Sequence, residues 1–278
     1  MAAQFLQPAL RSDGVNQYTP LNPPKRELSI FDWLGACCSE QPAGKEDYHL
    51  RAREELIMGD LQQEVLVPFT PGCAEHEAIL LEYFKAVMPA LSPENSTGPP
   101  GRRDERWKEL GFQDQDPRTD FRGGGLLSLK CMQRMASLDS KRVCQMIRES
   151  TMGETPADFY PFAAAVINVC FRLAGWFMLD VRRNKLKVNA EDVCDGIEYR
   201  RFAELTLAEP ETFLILCASA VVATHEEWCS RRHSVFGFSK CVDAAMTRVS
   251  LFLSQTSKEP PSAAVHKLRQ NWRLPTTW

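Results

Sequence analysis

A chain of 278 residues with 44% hydrophobic and 25% charged residues is composed like a globular protein able to bury a sizeable core, in one large domain or two small ones. Its formal net charge of -3 excludes a global attraction to nucleic acid or anionic membrane, because both need clustered lysine and arginine. Ten cysteines, at 37, 38, 73, 131, 144, 170, 194, 217, 229 and 241, form no C-x-x-C pair and follow no secretory leader, so reduced, mostly buried thiols of an intracellular protein are expected.

Residues 1–44 are expected to form a flexible arm, since Pro8, Pro20, Pro23 and Pro24 stand among polar residues with little apolar surface to drive ordering. Within the arm, Leu28 to Leu34 gathers Ile30, Phe31, Trp33 and Leu34. This segment reads either as a short helix docking on the body or as an anchor for a partner or membrane surface, and palmitoylation of Cys37 and Cys38 would suit the anchor. From Glu46 to Val67, the spacing of Leu50, Ile57, Leu61 and Val65 predicts an amphipathic helix, ended by Pro68, Pro71 and Gly72. Ala74 to Leu91 repeats the pattern with Ile79, Leu80, Tyr83, Phe84, Val87, Met88 and Leu91 in one stripe. Two such helices on a short link are expected to pack antiparallel. Ser92 to Arg103, with Pro93, Gly98, Pro99, Pro100 and Gly101, reads as a loop.

Trp107 to Leu127 concentrates the residues with special backbone or charge roles. Asp116 before Pro117 predicts an N-cap with proline at the first helical position, and Asp120 can accept from first-turn amides. Phe121 and Arg122 then lead into Gly123, Gly124 and Gly125, where missing side chains permit positive φ or close approach of another backbone. Arg122 is thus a permanently charged fork of donors between a capped turn and a glycine hinge. Phe112, Phe121, Leu126 and Leu127 should anchor the stretch to the core.

Leu126 to Leu138 and Lys141 to Arg148 read as helices, with Asp139 capping the second, and Gly153 to Pro156 breaks the chain. Pro161 to Asp180 is apolar on nearly all sides and is expected to be the central buried helix. Its Asn168 and Arg172 argue against a membrane span and read as core polar groups tied to neighbouring backbone. Glu204 to Ala223 and Glu226 to Leu253 predict two further long helices, Gly237 marking a kink or break, and no strand alternation appears. Residues 256–278, with Pro260, Pro261 and a terminal Trp278, are expected to be a weakly ordered tail or a small docking segment.

Nucleotide-binding and metal chemistry find no support. No Gly-x4-Gly-Lys-Ser/Thr is present, and the glycine run follows no predicted strand. His225, Cys229 and His233 share a helical face, yet eight residues of helix part the two histidines by ~12 Å, too far for one tetrahedral ion. No metal and no cofactor are therefore expected, and none of the ten thiols stands out as a nucleophile.

The succession Trp107, Leu110, Gly111, Phe112, Gln113, Asp116, Pro117, Thr119, Asp120, Phe121, Arg122, Gly123, Gly125, Leu127 resembles the signature of the ELMO domain, in the subgroup of ELMO-domain-containing (ELMOD) proteins. Tyr160 to Val169 and the aromatic-rich run Phe202 to Phe252 look like later helices of that domain, which would span residues 45–255. Asp114 departs from the family pattern, standing where a small residue is usual.

The resemblance implies a single all-α domain that acts as a GTPase-activating protein on an Arf or Arf-like small GTPase in its GTP form. It assigns the essential arginine to Arg122, with Trp107, Gly111, Phe112, Gln113, Asp116, Pro117, Thr119, Asp120, Phe121, Gly123 and Gly125 supporting the motif or touching the partner. It implies no nucleic acid, and a cytoplasmic protein with at most peripheral association with internal membranes. Two other readings stay open at this point. Arg122 can pair internally with Asp116 or Asp120 and merely brace the turn. The chain can also be a non-catalytic interaction module, as in the longer ELMO proteins that act on Rac with DOCK exchange factors, whose armadillo-like and pleckstrin-homology regions 278 residues would not hold.

Overall fold

The computed structural model describes residues 50–152, 155, 158–180, 193–231 and 237–275. The expected arm at 1–44, its Phe31, Trp33 and Leu34 segment, Cys37, Cys38, His233 and Trp278 lie outside the described residues. The described residues are mostly helical and contain no strand, so the fold is all-α.

Helix α1 (Ala52–Leu66) buries Met58, Leu61 and Val65, with Glu54 folded back to accept from the Arg51 amide at 2.8 Å. The buried stripe runs through Met58 rather than the expected Ile57, which is only half-buried. Helix α2 (Ala74–Leu91) buries Leu80, Tyr83, Phe84, Val87 and Met88, with Ile79 and Leu91 at the margins. The two helices do not form the antiparallel pair that their short link predicts. α2 lies along α4 (Gly125–Ser150), whereas α1 packs on α6 (Gly196–Ala208) and α4. The cause is local: Val67, just past α1, accepts a hydrogen bond from the Leu126 amide at 3.0 Å, which ties the end of α1 to the start of α4 instead of to α2.

A short helix α3 (Arg106–Glu109) and a 3-10 turn (Pro117–Arg122) precede α4. α4 is two helical segments joined at Asp139, whose φ of -156° and ψ of 84° are not helical. Its carboxylate accepts from the Arg142 amide at 3.0 Å, as the expected cap should.

α5 (Phe162–Trp176) stops short of the expected Asp180. Met178 at φ 53° closes it, with the Leu179 amide bonded to Ala174 O at 2.9 Å and the Met178 amide to Gly175 O at 3.0 Å. Asn168 is exposed and Arg172 pairs with Asp243 at 3.4 Å, so neither is the core group expected. Nor is α5 alone at the centre. α7 (Thr212–Arg231) is buried from Ile215 through His225 and packs on α4, α5 and α8 (Phe238–Gln255).

Two expected long helices are each divided. Glu204–Ala223 breaks at Pro210, which has no amide to donate, and Thr212 Oγ1 donates back to the Leu205 and Glu209 carbonyls at 3.0 and 2.6 Å. α6 begins earlier than expected, at a box where the Glu198 amide donates to Asp195 Oδ1 at 2.8 Å and the Asp195 amide to Glu198 Oε2 at 2.9 Å. The second long segment is described as α7 up to Arg231 and as α8 from Phe238, just past the Gly237 expected to mark a kink or break; residues 232–236 lie outside the described residues.

The stretch expected as a weakly ordered tail or a small docking segment contains helix α9 (Pro261–Asn271), which seats Ala264, Val265 and Leu268 against α6 and α7, as the docking alternative has it. Apolar residues at helical spacing explain it, and the following Trp272 and Leu274 are buried too. Among the described residues no single helix is long and apolar enough to cross a membrane. α6 and α7 pass such a test together, but they are bent by 119° at their break.

Candidate functional site

The signature stretch is built on a file of aromatic rings. Phe84 of α2 meets Trp107 at 5.2 Å between centroids, Trp107 meets Phe112 at 5.7 Å, Phe112 meets Phe121 at 5.9 Å and Phe121 meets Phe69 at 5.1 Å. Phe112, Phe121, Leu126 and Leu127 are buried, as the sequence predicts, and so is Trp107. The Trp107 indole also donates to Gly101 O at 3.2 Å, which pulls the preceding loop onto the turn.

Gly111 is where the chain reverses onto α5. Its φ is +83°, its carbonyl accepts from the Ala163 amide at 2.9 Å, and an added Cβ would stand 2.7 Å from the Phe162 nitrogen. Gly125 meets the same demand beside α1: at φ +56°, a Cβ there would lie 2.5 Å from Val67 O. Gly123 has no steric reason of this kind, since a Cβ at that position would meet nothing within 4 Å and its φ is an ordinary -89°.

The two carboxylates considered as internal partners of Arg122, Asp116 and Asp120, are engaged elsewhere. Asp116 caps the turn by accepting from the Arg118 amide at 3.2 Å, and it binds the Arg118 guanidinium through both oxygens, at 2.6 Å on Nε. That guanidinium holds the Asp116 carboxyl below its usual range. Thr119 Oγ1 donates to Asp116 O at 3.0 Å. Asp120 reaches back to accept from the Gln113 amide at 2.9 Å and from Thr119 Oγ1 at 3.3 Å. Burial pushes the Asp120 carboxyl up despite these bonds, and the charges of Asp114 and Asp116 add to the rise. Asp114 itself accepts from the Gln115 amide at 2.7 Å. Pro117 is buried under the turn.

Arg122, by contrast, is exposed and has no hydrogen bond or ion pair among the described residues. Internal bracing through Asp116 or Asp120 is therefore not what the turn does with this arginine. It stands on the rim of a cleft of about 460 Å³ between the end of α1 and the turn, lined also by Val67, Pro68, Phe69, Pro71, Arg102 and Arg118. Sequence reasoning missed Arg102 and Arg118 as members of this surface. Arg118 two residues after an N-capping aspartate was the available signal, since that spacing lets the cap and the guanidinium share one carboxylate.

Of the residues singled out from the sequence, then, Trp107, Gly111, Phe112, Asp116, Pro117, Thr119, Asp120, Phe121 and Gly125 hold the turn's shape, while Arg122, Gly123 and the Gln113 side chain face solvent. The arrangement can present an exposed cationic fork, carried on a braced turn, to an anion on another molecule. It has no paired acid and base of its own beside Arg122.

A model of the ELMO/CED-12 family matches residues 59–242, more than half of the chain. Among curated proteins, the chain is 33% identical over 94 residues to ELMO domain-containing protein 1 of Pongo abelii, covering 34% of this chain and 27% of that protein. It is 38% identical over 76 residues to ELMO domain-containing protein 1 of Homo sapiens, covering 27% and 21% of the two. To ELMO domain-containing protein 2 of Mus musculus it is 37% identical over 105 residues, covering 38% and 30%. The matched segments thus span less than a third of each relative. No solved structure matches the chain.

Proposed function

The chain belongs to the ELMO/CED-12 family, and from that premise we propose that it is a GTPase-activating protein for an Arf or Arf-like small GTPase, with Arg122 supplied in trans to the bound GTP. The observation that carries the reading is the division of labour on the turn: both neighbouring carboxylates are committed to other donors, and Arg122 is left exposed and unpaired on a rigid support. In phosphoryl transfer the charge that develops on the transferred oxygens needs a positioned cation more than it needs covalent chemistry, and an inserted arginine accelerates hydrolysis ~10³–10⁵-fold. The GTP-bound partner works at membrane surfaces, so the complex assembles peripherally on an internal membrane, in membrane trafficking or cytoskeletal control.

The test is single-turnover GTP hydrolysis by a panel of Arf and Arf-like proteins at saturating regulator, comparing wild type with Arg122→Lys. A lysine point charge lacks the planar fork that bridges two oxygens, so the variant should lose most of the stimulation while keeping its melting temperature and its affinity for the partner. Binding without stimulation by the wild type, on every member of the panel, would sink the activating role and leave a non-catalytic interaction module.

A further inference from the structure

At the far end of α4 from Arg122, three side chains of different chemistry converge. His225 Nε2 on α7 lies 2.7 Å from Glu149 Oε2 on α4 and 3.5 Å from Cys229 Sγ, one helical turn further along α7. The three ligand atoms all lie within 4.8 Å of one another. Glu149 and Cys229 address the same imidazole nitrogen. A thiol nucleophile activated by a histidine would need the orienting acid on the opposite nitrogen, so this is not the geometry of a catalytic dyad. It is the geometry of three donors around one point.

Two of the three donors are also held from behind. His225 Nδ1 is 2.6 Å from the Tyr160 hydroxyl, and Tyr160 is itself buried, with its ring against Trp228 and Phe238. The second oxygen of Glu149 accepts from Gln145 Nε2 at 2.8 Å, which leaves Oε2 aimed at the imidazole. Cys229 is exposed, so the cluster is open to solvent on one side.

We propose that Glu149, His225 and Cys229 form a binding site for a single zinc-like divalent cation, with water in the fourth position. The 3.5 Å between Nε2 and Sγ equals the ~3.5 Å edge of a tetrahedron drawn with ordinary zinc–nitrogen and zinc–sulfur bonds. The carboxylate oxygen, at 2.7 Å, would retreat from Nε2 by ~0.6 Å to reach the nitrogen–oxygen edge, and its distance to Sγ lies within 4.8 Å. On binding, the neutral imidazole changes tautomer: Nε2 gives up the proton it shares with Glu149 Oε2 and one is taken up at Nδ1, with no net loss from the ring, so the Tyr160 hydroxyl turns from donor to acceptor at Nδ1. The Cys229 proton leaves to solvent, and two anionic ligands then neutralise the ion within a partly buried pocket. In the metal-free protein, burial and the Glu149 charge push the Cys229 thiol up. The mixed sulfur, nitrogen and oxygen donor set suits zinc better than a hard cation such as magnesium or calcium.

The test uses the full chain, stripped of metal with a chelator and titrated with cobalt(II), then with zinc. The expected result is one equivalent of cobalt bound with a thiolate-to-cobalt charge-transfer band and visible bands of tetrahedral intensity, displaced by zinc, and a melting temperature that rises with metal. Cys229→Ser should abolish the charge-transfer band, and because Cys229 is exposed this variant keeps the core intact. Tyr160→Phe, which retains the ring packing, should weaken binding ~10–100-fold, as loss of an outer hydrogen bond to a ligating histidine does. Absence of any band in the wild type would overturn the proposal. So would a band unchanged in Cys229→Ser, which would place the ion on the sealed trio Cys131, Cys170 and Cys217, whose sulfurs also lie within 4.8 Å of one another.

Discussion

Arg106 shows how one side chain turns a sequence that reads as loose into a fixed wall. Its guanidinium donates to the carbonyls of Asn95 at 3.2 Å, Thr97 at 3.0 Å, Gly98 at 3.2 Å and Pro99 at 3.3 Å, pairs with Asp104 at 2.7 Å and lies over the Phe84 ring at 5.2 Å. A lysine could not serve so many acceptors, for it lacks the planar array of five donors. The Arg106 guanidinium also holds the Asp104 carboxyl down to about 2, below its ordinary 3.8, with help from the Arg106 and Gly101 amides. A carboxyl whose folded pKa is lowered stabilises the fold fully above its unfolded value and loses that contribution as pH falls through the folded one. Urea unfolding followed between about pH 7 and pH 2 should therefore show a shallower acid limb for Asp104→Asn than for wild type, together with lower stability at neutral pH. Parallel limbs would contradict the assignment. None of this was legible in the sequence, because the partners of Arg106 are mostly backbone carbonyls, which every residue carries. Asp116, next to Pro117, was legible because its cap acts within its own turn.

At the scale of elements, the glycines of the signature separate into two kinds. Gly111 is fixed by a positive φ and by α5 pressing on it, so Gly111→Ala should cost ~2–4 kcal/mol in chemical denaturation, from strain and steric conflict together. Gly123→Ala should change stability by less than ~0.5 kcal/mol, as for a surface substitution at an ordinary φ. A loss of GTPase stimulation in that variant would then report contact with the partner rather than a damaged fold, and a large loss of stability would refute the distinction. Helical periodicity made most elements legible, since burial of one face is what repeats every turn. Boundaries were harder. Met58 outranked Ile57 because α1 faces α6, a contact remote in sequence. The Asp195 and Glu198 box was present in the sequence and overlooked, whereas the docking of α9 depended on a groove between α6 and α7 that only the assembled fold provides.

For the molecule as a whole, α4 is the member that joins the arginine turn to the remaining core. It starts at Gly125 beside the end of α1, crosses α5 and α7, and ends at Glu149 and Ser150. α9 is tied in from the other side, where the buried Arg201 donates to Thr256 O at 2.6 Å and Glu259 O at 2.9 Å, and Arg269 pairs with Glu209 at 2.8 Å. Because the turn packs on α4 and α5, and α4 in turn packs on α7, local opening of the turn would require breaking contacts that hold the centre. The Leu126 amide reports on this directly, since it is bonded to Val67 O at the junction and its side chain is buried. Native-state hydrogen exchange with increasing denaturant should place the Leu126 amide in the same class as the amides of α7, opening only with global unfolding. That result would mean Arg122 is carried on a support already in its working shape, so that partner binding need not also order the turn and lose affinity to it. A Leu126 amide that exchanges through a small opening insensitive to denaturant would instead make the arginine a mobile group ordered by the GTPase. The fixed support proposed for it would then be wrong.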